Sequence, residues 1–151
     1  MTNAFVLNCR RALILPATVV AVTMSGAKVK AQNIYNPIEL RGRYEISDTL
    51  SEQDIPTGQG GFARDYKVTL SDIDQVAIDL ISDDFDAIIS LIAPDGTTIA
   101  ENDDGPDGTT NSLLFARIQT TGDYIVRVRA FGEAGIGSFD LKVTRLRPID
   151  N

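Results

Sequence analysis

Two short stretches hold most of the chemistry this sequence could perform. Asp83-Asp84-Phe85-Asp86 and Glu101-Asn102-Asp103-Asp104-Gly105-Pro106-Asp107 concentrate carboxylates on either side of a Pro94-Asp95-Gly96 turn. If Ala93 and Thr97 close a three-residue loop, the two stretches meet at the open end of a hairpin. Leu91 then faces Ile99, and Asp86 lies opposite Asp104; a slip of one residue still sets Asp84 and Asp86 against 103–106. Like charges opposed on paired strands repel, and a hard cation with oxygen ligands offsets that repulsion. Calcium suits several carboxylates with an Asn and backbone carbonyls, so Asp84, Asp86, Asn102, Asp103 and Asp104 are its expected ligands. The same residues also read as a solvated acidic loop, because Asp, Asn and Gly are ordinary turn residues and salt screens exposed charge. Asp103 to Gly108 begins like an EF-hand loop, yet Gly105 stands at the third-position ligand and Leu114 where the closing Glu belongs. The expected register also puts Glu101 beside Ile89, which fits a dry inner face only if a β-bulge intervenes.

Composition narrows the chemistry further. The 151 residues include no His, no Trp and one Cys. Without imidazole there is no Ser-His-Asp or Cys-His hydrolase and no His-built zinc site, and transition metals lose their usual ligands. Glycoside hydrolysis needs only two carboxylates, but here they cluster at one hairpin end, with no cleft between them and no Trp to stack a sugar. No enzymatic activity is expected. Gly58-Gln59-Gly60-Gly61 lacks a following Lys-Ser/Thr, so it reads as a flexible connector rather than a phosphate loop. The formal charge of −7 disfavours nucleic acid, which demands clustered Lys and Arg.

Charge is unevenly placed along the chain. Residues 1–31 carry Arg10, Arg11, Lys28 and Lys30 and no acid. The apolar run from Ala12 to Met24 has the length of a signal-peptide core and falls short of the ~18 residues of a membrane span. Val29-Lys30-Ala31 offers small residues to a signal peptidase, which places cleavage after Ala31; an uncleaved N-terminal anchor is the alternative. Arg10-Arg11 matches a twin-arginine signal only in part, so ordinary secretory export is expected. Cys9 precedes the apolar run and is no lipidation site. Removing four of the 14 basic residues leaves 10 against 21 acids, a charge of −11. The remainder has no cysteine to staple it and no membrane span, and its expected location is secreted, periplasmic or at the cell surface.

The elements that must position the acids are strands. Residues 32–41 read as a lead-in, and Ser51 to Arg64 as a polar, Gly-rich connection. Elsewhere period-2 alternation dominates: Tyr44–Ser47, Tyr66-Val68-Leu70, Val76-Ile78-Leu80, Ala87–Ile92, Thr97–Ala100, Leu113–Ile118, Tyr124–Phe131 and Phe139–Val143. About eight short strands separated by turn residues predict an all-β, antiparallel sandwich in one domain. Gly122-x-Tyr124-x-Val126-x-Val128, Gly137-x-Phe139-x-Leu141-x-Val143 and Gly42-x-Tyr44-x-Ile46 repeat one rule, which puts these aromatics in the core.

Taken in order, Val76-x-Ile78-x-Leu80, Asp83-Asp84-Phe85-Asp86, Leu91, Pro94-Asp95-Gly96, Asn102-Asp103-Asp104, Gly122-x-Tyr124-x-Val126 and Gly137-x-Phe139-x-Leu141 resemble the bacterial pre-peptidase C-terminal domain. The resemblance runs from about Gly42 to Val143, within a domain spanning 42–147 and followed by a tail at 148–151. It implies a jelly-roll-like β-sandwich with a non-catalytic accessory role, as an appendage in secretion or maturation or as a binder of extracellular polymers and calcium. Asp86 and Asn102-Asp103-Asp104 match the family's acidic hairpin by position. Collagen binding does not carry over, because no surface set of aromatics can be picked out. The chain reads as a signal peptide followed by the module alone, without a protease domain beside it. Two functions are therefore expected: binding of an extracellular polysaccharide or protein, with calcium as a candidate aid, or a structural and assembly role with another exported protein.

Overall fold

A computed structural model describes residues 35–40, 42, 44–58, 60–106, 108–132 and 135–146. The expected signal peptide and tail lie outside them. Among the described residues there are ten strands and no helix: β1 Ile38–Glu39, β2 Glu45–Leu50, β3 Ile55–Pro56, β4 Phe62–Leu70, β5 Gln75–Ile81, β6 Ala87–Ile92, β7 Thr98–Asn102, β8 Ser112–Arg117, β9 Gly122–Ala130 and β10 Gly137–Leu146. Eight of them fall on the alternating segments of the sequence. The two that do not, β1 and β3, are two residues long and lie in the lead-in and the Gly-rich connection.

The larger sheet runs β1-β4-β9-β6-β7, with β3 also paired to β4, and the smaller runs β2-β10-β5-β8. The eight long strands form two four-stranded antiparallel layers in jelly-roll order, so the expected fold class holds. Alternation packs one face of each layer inward. Tyr66, Val68, Leu70, Ile89, Leu91, Val126 and Val128 from the larger sheet meet Val76, Ile78, Leu80, Leu114, Phe139 and Leu141 from the smaller. Burying each such side chain contributes ~1.5–3 kcal/mol. Phe139 stands edge-on to both Tyr66 and Phe85, with ring centroids 6.2 Å apart in each pair. Tyr124 and Phe139 are core, as their spacing implied, and Tyr44 packs against its margin.

Polar links tie the layers together along both sides. On one side Tyr66 donates its hydroxyl to Asp48 at 2.8 Å, and Arg64 lies 3.1 Å from the same carboxylate. Burial and that hydrogen bond both push the Tyr66 phenol up from its ordinary value. On the other side Asn102 donates from its amide to the backbone oxygens of Asp104 (2.7 Å) and Leu113 (2.8 Å), while Ser112 donates its hydroxyl to the Asn102 carbonyl.

A candidate binding groove on the outer face of the larger sheet

The β6–β7 hairpin closes as expected, with the Ala93 amide donating to Thr97 O at 2.8 Å. Its register then departs from expectation. Ile92 pairs with Thr98 but Leu91 pairs with Ala100, so Ile99 is an extra residue on β7. Leu91 therefore faces Ala100 rather than Ile99. The bulge resolves the conflict at Ile89: Glu101 now lies opposite Ser90 on the outer face, and Ile89 stays in the core.

The hairpin ladder also stops short of the acids. The hairpin ladder ends at Ile89 and Asn102. Beyond it the Ala87 amide turns to Thr110 O, the Phe131 amide to Asp86 O, and the Leu113 amide to Asp104 O as the chain crosses to the smaller sheet. Asp86 and Asp104 thus do not pair across a ladder. Asp84 accepts the Ser138 amide at 2.7 Å and its hydroxyl at 2.6 Å, and these bonds hold its carboxyl below the usual carboxylate range. Asn102 spends its amide protons on the inter-sheet link. Asp86, Asp103 and Asp104 are exposed. Among the described residues no three acidic side chains converge on a point that could hold a metal ion.

What the register builds instead is a row of polar side chains across four strands. Asp65 on β4 pairs with Arg127 on β9, Arg127 with Ser90 on β6, and Ser90 with Glu101 on β7. At the usual strand spacing the row is about 14 Å long. Arg127 grips Asp65 bidentately, Nε to Oδ1 at 2.7 Å and Nη2 to Oδ2 at 2.8 Å, and Tyr35 donates its hydroxyl to Oδ2 at 2.6 Å. That carboxylate raises the Arg127 pKa. Ser90 donates to Glu101 Oε2 at 2.6 Å, and Arg129 reaches over Ile88 to Oε1 at 3.0 Å. The Ser90 bond is the larger cause of a lowered Glu101 pKa, with burial opposing it and Arg129 adding to it.

Three depressions of about 550, 310 and 350 Å³ lie along this row. The first and second share Ile55, Pro56 and Ala63, and the second and third share Thr57, Glu101 and Arg129. Taken together they form one trough, with β3 between its first two parts. Tyr35 stands at one end, 49% exposed, and Phe131 at the other, 60% exposed. The sequence reading missed both aromatics as surface groups. For Phe131 the signal was present: Tyr124, Val126, Val128 and Ala130 point inward, so 131 falls in phase with Arg127 and Arg129. For Tyr35 there was none, because the lead-in has no period.

Tyr35 gives a direct test of the clamp. Burial first, then the bond to Asp65, push its phenol up to about 12 from 10.0. The docked chain thus holds this proton more tightly than the unfolded chain. The resulting stabilisation is complete below about pH 10 and is lost as pH rises through about 12. In an alkaline titration followed by tyrosinate absorbance, Tyr35→Phe is expected to remove a late-ionising phenol. An unchanged titration curve would mean that Tyr35 is not clamped.

The fold and trough define a two-layer β-sandwich with a built outer face. Residues 63–130, from the second residue of β4 to the end of β9, match the family model of the bacterial pre-peptidase C-terminal domain. The resemblance carried by the sequence motifs is borne out over that stretch. The pre-peptidase C-terminal domain of a collagenase from Bacillus anthracis has a similar structure, with a TM-score of 0.53 at 13% identity over 72% of this chain and 93% of that one. A periplasmic inhibitor of g-type lysozyme from Aeromonas hydrophila aligns with a TM-score of 0.49 at 13% identity over 72% and 96% of the two chains. No curated protein matches the chain.

Proposed function

We propose that the chain is a non-catalytic, exported module that binds an extracellular polymer along the outer face of its larger sheet. One observation carries this reading: the three linked depressions form a trough long enough for an extended chain. Its floor offers fixed hydrogen-bonding groups rather than a reactive pair. The Asp65 and Glu101 carboxylates are each held by an arginine, which suits orientation of a ligand rather than proton transfer. Export rests on the apolar, acid-free leader in the sequence.

The test is retention of the purified chain on immobilised polysaccharides, gelatin and exported proteins. Retention on a polymer that falls at least tenfold in Glu101→Ala/Arg129→Ala supports the trough as the binding face. Retention insensitive to that change removes it. Running each arm with calcium and with chelator shows whether Asp86, Asp103 and Asp104 contribute; equal retention in both would discard calcium assistance.

A second reading, assembly with another exported protein, is favoured by a different feature. Where the β7 and β8 edges approach one another, a groove of about 780 Å³ exposes Ile99 and Phe115, the latter 64% exposed. Recovery of one particular protein and of no polymer would favour it.

A further inference from the structure

The trough's two ends differ from its floor in a way that specifies the occupant, given that the trough is a binding face as proposed above. Along the floor every charge in the polar row has an opposite partner: Asp65 with Arg127, Glu101 with Arg129. The whole lining sets three arginines, Arg64, Arg127 and Arg129, against four acids, Asp54, Asp65, Glu101 and Asp103, so the face is close to neutral in a chain with 21 acidic and 14 basic residues. It gives an anionic or cationic polymer little net field to bind, and it leaves donors and acceptors fixed in place. At either end stands an exposed aromatic ring. Tyr35 is held by its hydroxyl bond to Asp65, and Phe131 follows directly on β9. Flat apolar rings flanking alternating donors (Arg127, Arg129) and acceptors (Glu101) match the chemistry of a pyranose chain, whose ring faces are apolar and whose hydroxyls both donate and accept.

We propose that the trough binds an uncharged polysaccharide, with Tyr35 and Phe131 stacking on sugar rings at its two ends and Arg127, Glu101 and Arg129 bonding the hydroxyls between them, while buried Ser90 holds Glu101 in place. Because Tyr35 is already fixed through Asp65 and Arg127, little side-chain freedom is lost when a sugar stacks on it. The length of the row sets the preference: a chain reaching both aromatics binds tighter than a fragment that reaches only one.

The experiment is affinity electrophoresis of the full chain through gels containing soluble uncharged polysaccharides (glucan, mannan, xylan) and, separately, anionic ones (alginate, pectate). Retardation is expected in at least one uncharged gel. Phe131→Ala and Tyr35→Ala each weaken it about tenfold, whereas Phe131→Tyr retains most of it and Tyr35→Phe, which keeps the ring but loses its bond to Asp65, falls between. Phe115→Ala, an exposed aromatic on the other sheet, leaves it unchanged. Should Tyr35→Ala fail to fold, Phe131→Ala still decides the matter. Retardation only in the anionic gels, or in uncharged gels but untouched by Phe131→Ala, overturns the stacking assignment while leaving the trough a polymer site. Retention on no polymer of any kind overturns both.

Discussion

Asp65→Ala is expected to cost about 2–3 kcal/mol and to lower the melting midpoint by roughly 10 °C. The Asp65 carboxylate is almost fully buried, at 1% side-chain exposure, and takes two bonds from Arg127 and one from Tyr35. Truncating it strands the guanidinium without its partner and frees the tyrosine. Breaking a fully buried pair costs about 3–5 kcal/mol; Arg127 is one-third exposed, so water recovers part of its solvation and the estimate is reduced accordingly. The double variant Asp65→Ala/Arg127→Met removes the stranded charge and is expected to regain part of the loss in denaturant unfolding. If the two single losses simply add, the pair is not coupled and the clamp is not what holds the lead-in.

Gly137→Ala is expected to be as severe, about 3 kcal/mol or more, through backbone and packing together. Gly137 sits at φ +144°, where L side chains are strained, and an added methyl would lie 2.2 Å from Asp84 Cβ and 2.6 Å from its Oδ2. Asp84 cannot retreat without releasing the Ser138 amide and hydroxyl that anchor the start of β10. Adding Asp84→Gly removes the overlap but not the φ strain, so partial recovery in thermal unfolding is expected. A Gly137→Ala protein melting within a degree of the wild type would show that the 82–86 loop moves freely. In that case Asp84 would again be available as a ligand.

These two positions bear on function in opposite ways. Asp65 belongs to the trough floor, so its loss is expected to weaken any ligand as well as the fold. Asp84 belongs to a clasp at the sandwich end, where its carboxylate anchors Ser138. Ser82 completes that clasp by donating to the Ser138 carbonyl and accepting from the Asp84 and Phe85 amides.

Much of the fold was legible in the chain. Eight alternating segments predicted eight long strands, because a strand buried on one face must alternate whatever its partners are. Gly-x-aromatic-x-aliphatic spacing identified Tyr124 and Phe139 as core for the same reason. The Pro94-Asp95-Gly96 turn and its closure between Ala93 and Thr97 were local chemistry and were read correctly.

The groove was not legible, and the reasons are specific. β1 and β3 are two residues long, too short to show any period, and exist only because the edge of β4 pairs with them. Glu101 beside Ile89 signalled a bulge, but nothing local marks Ile99 as the extra residue that turns Glu101 to solvent. Opposed Asp86 and Asp104 followed from a regular ladder, which the crossing of the chain to the second sheet cuts short. The Asp65–Arg127–Ser90–Glu101 row joins residues far apart in sequence. The sequence by itself therefore determined the strands, the core and the absence of imidazole chemistry, all fixed by residue type and local spacing. Only the tertiary structure decided which polar side chains share a face, because strand order and register depend on pairings between distant segments.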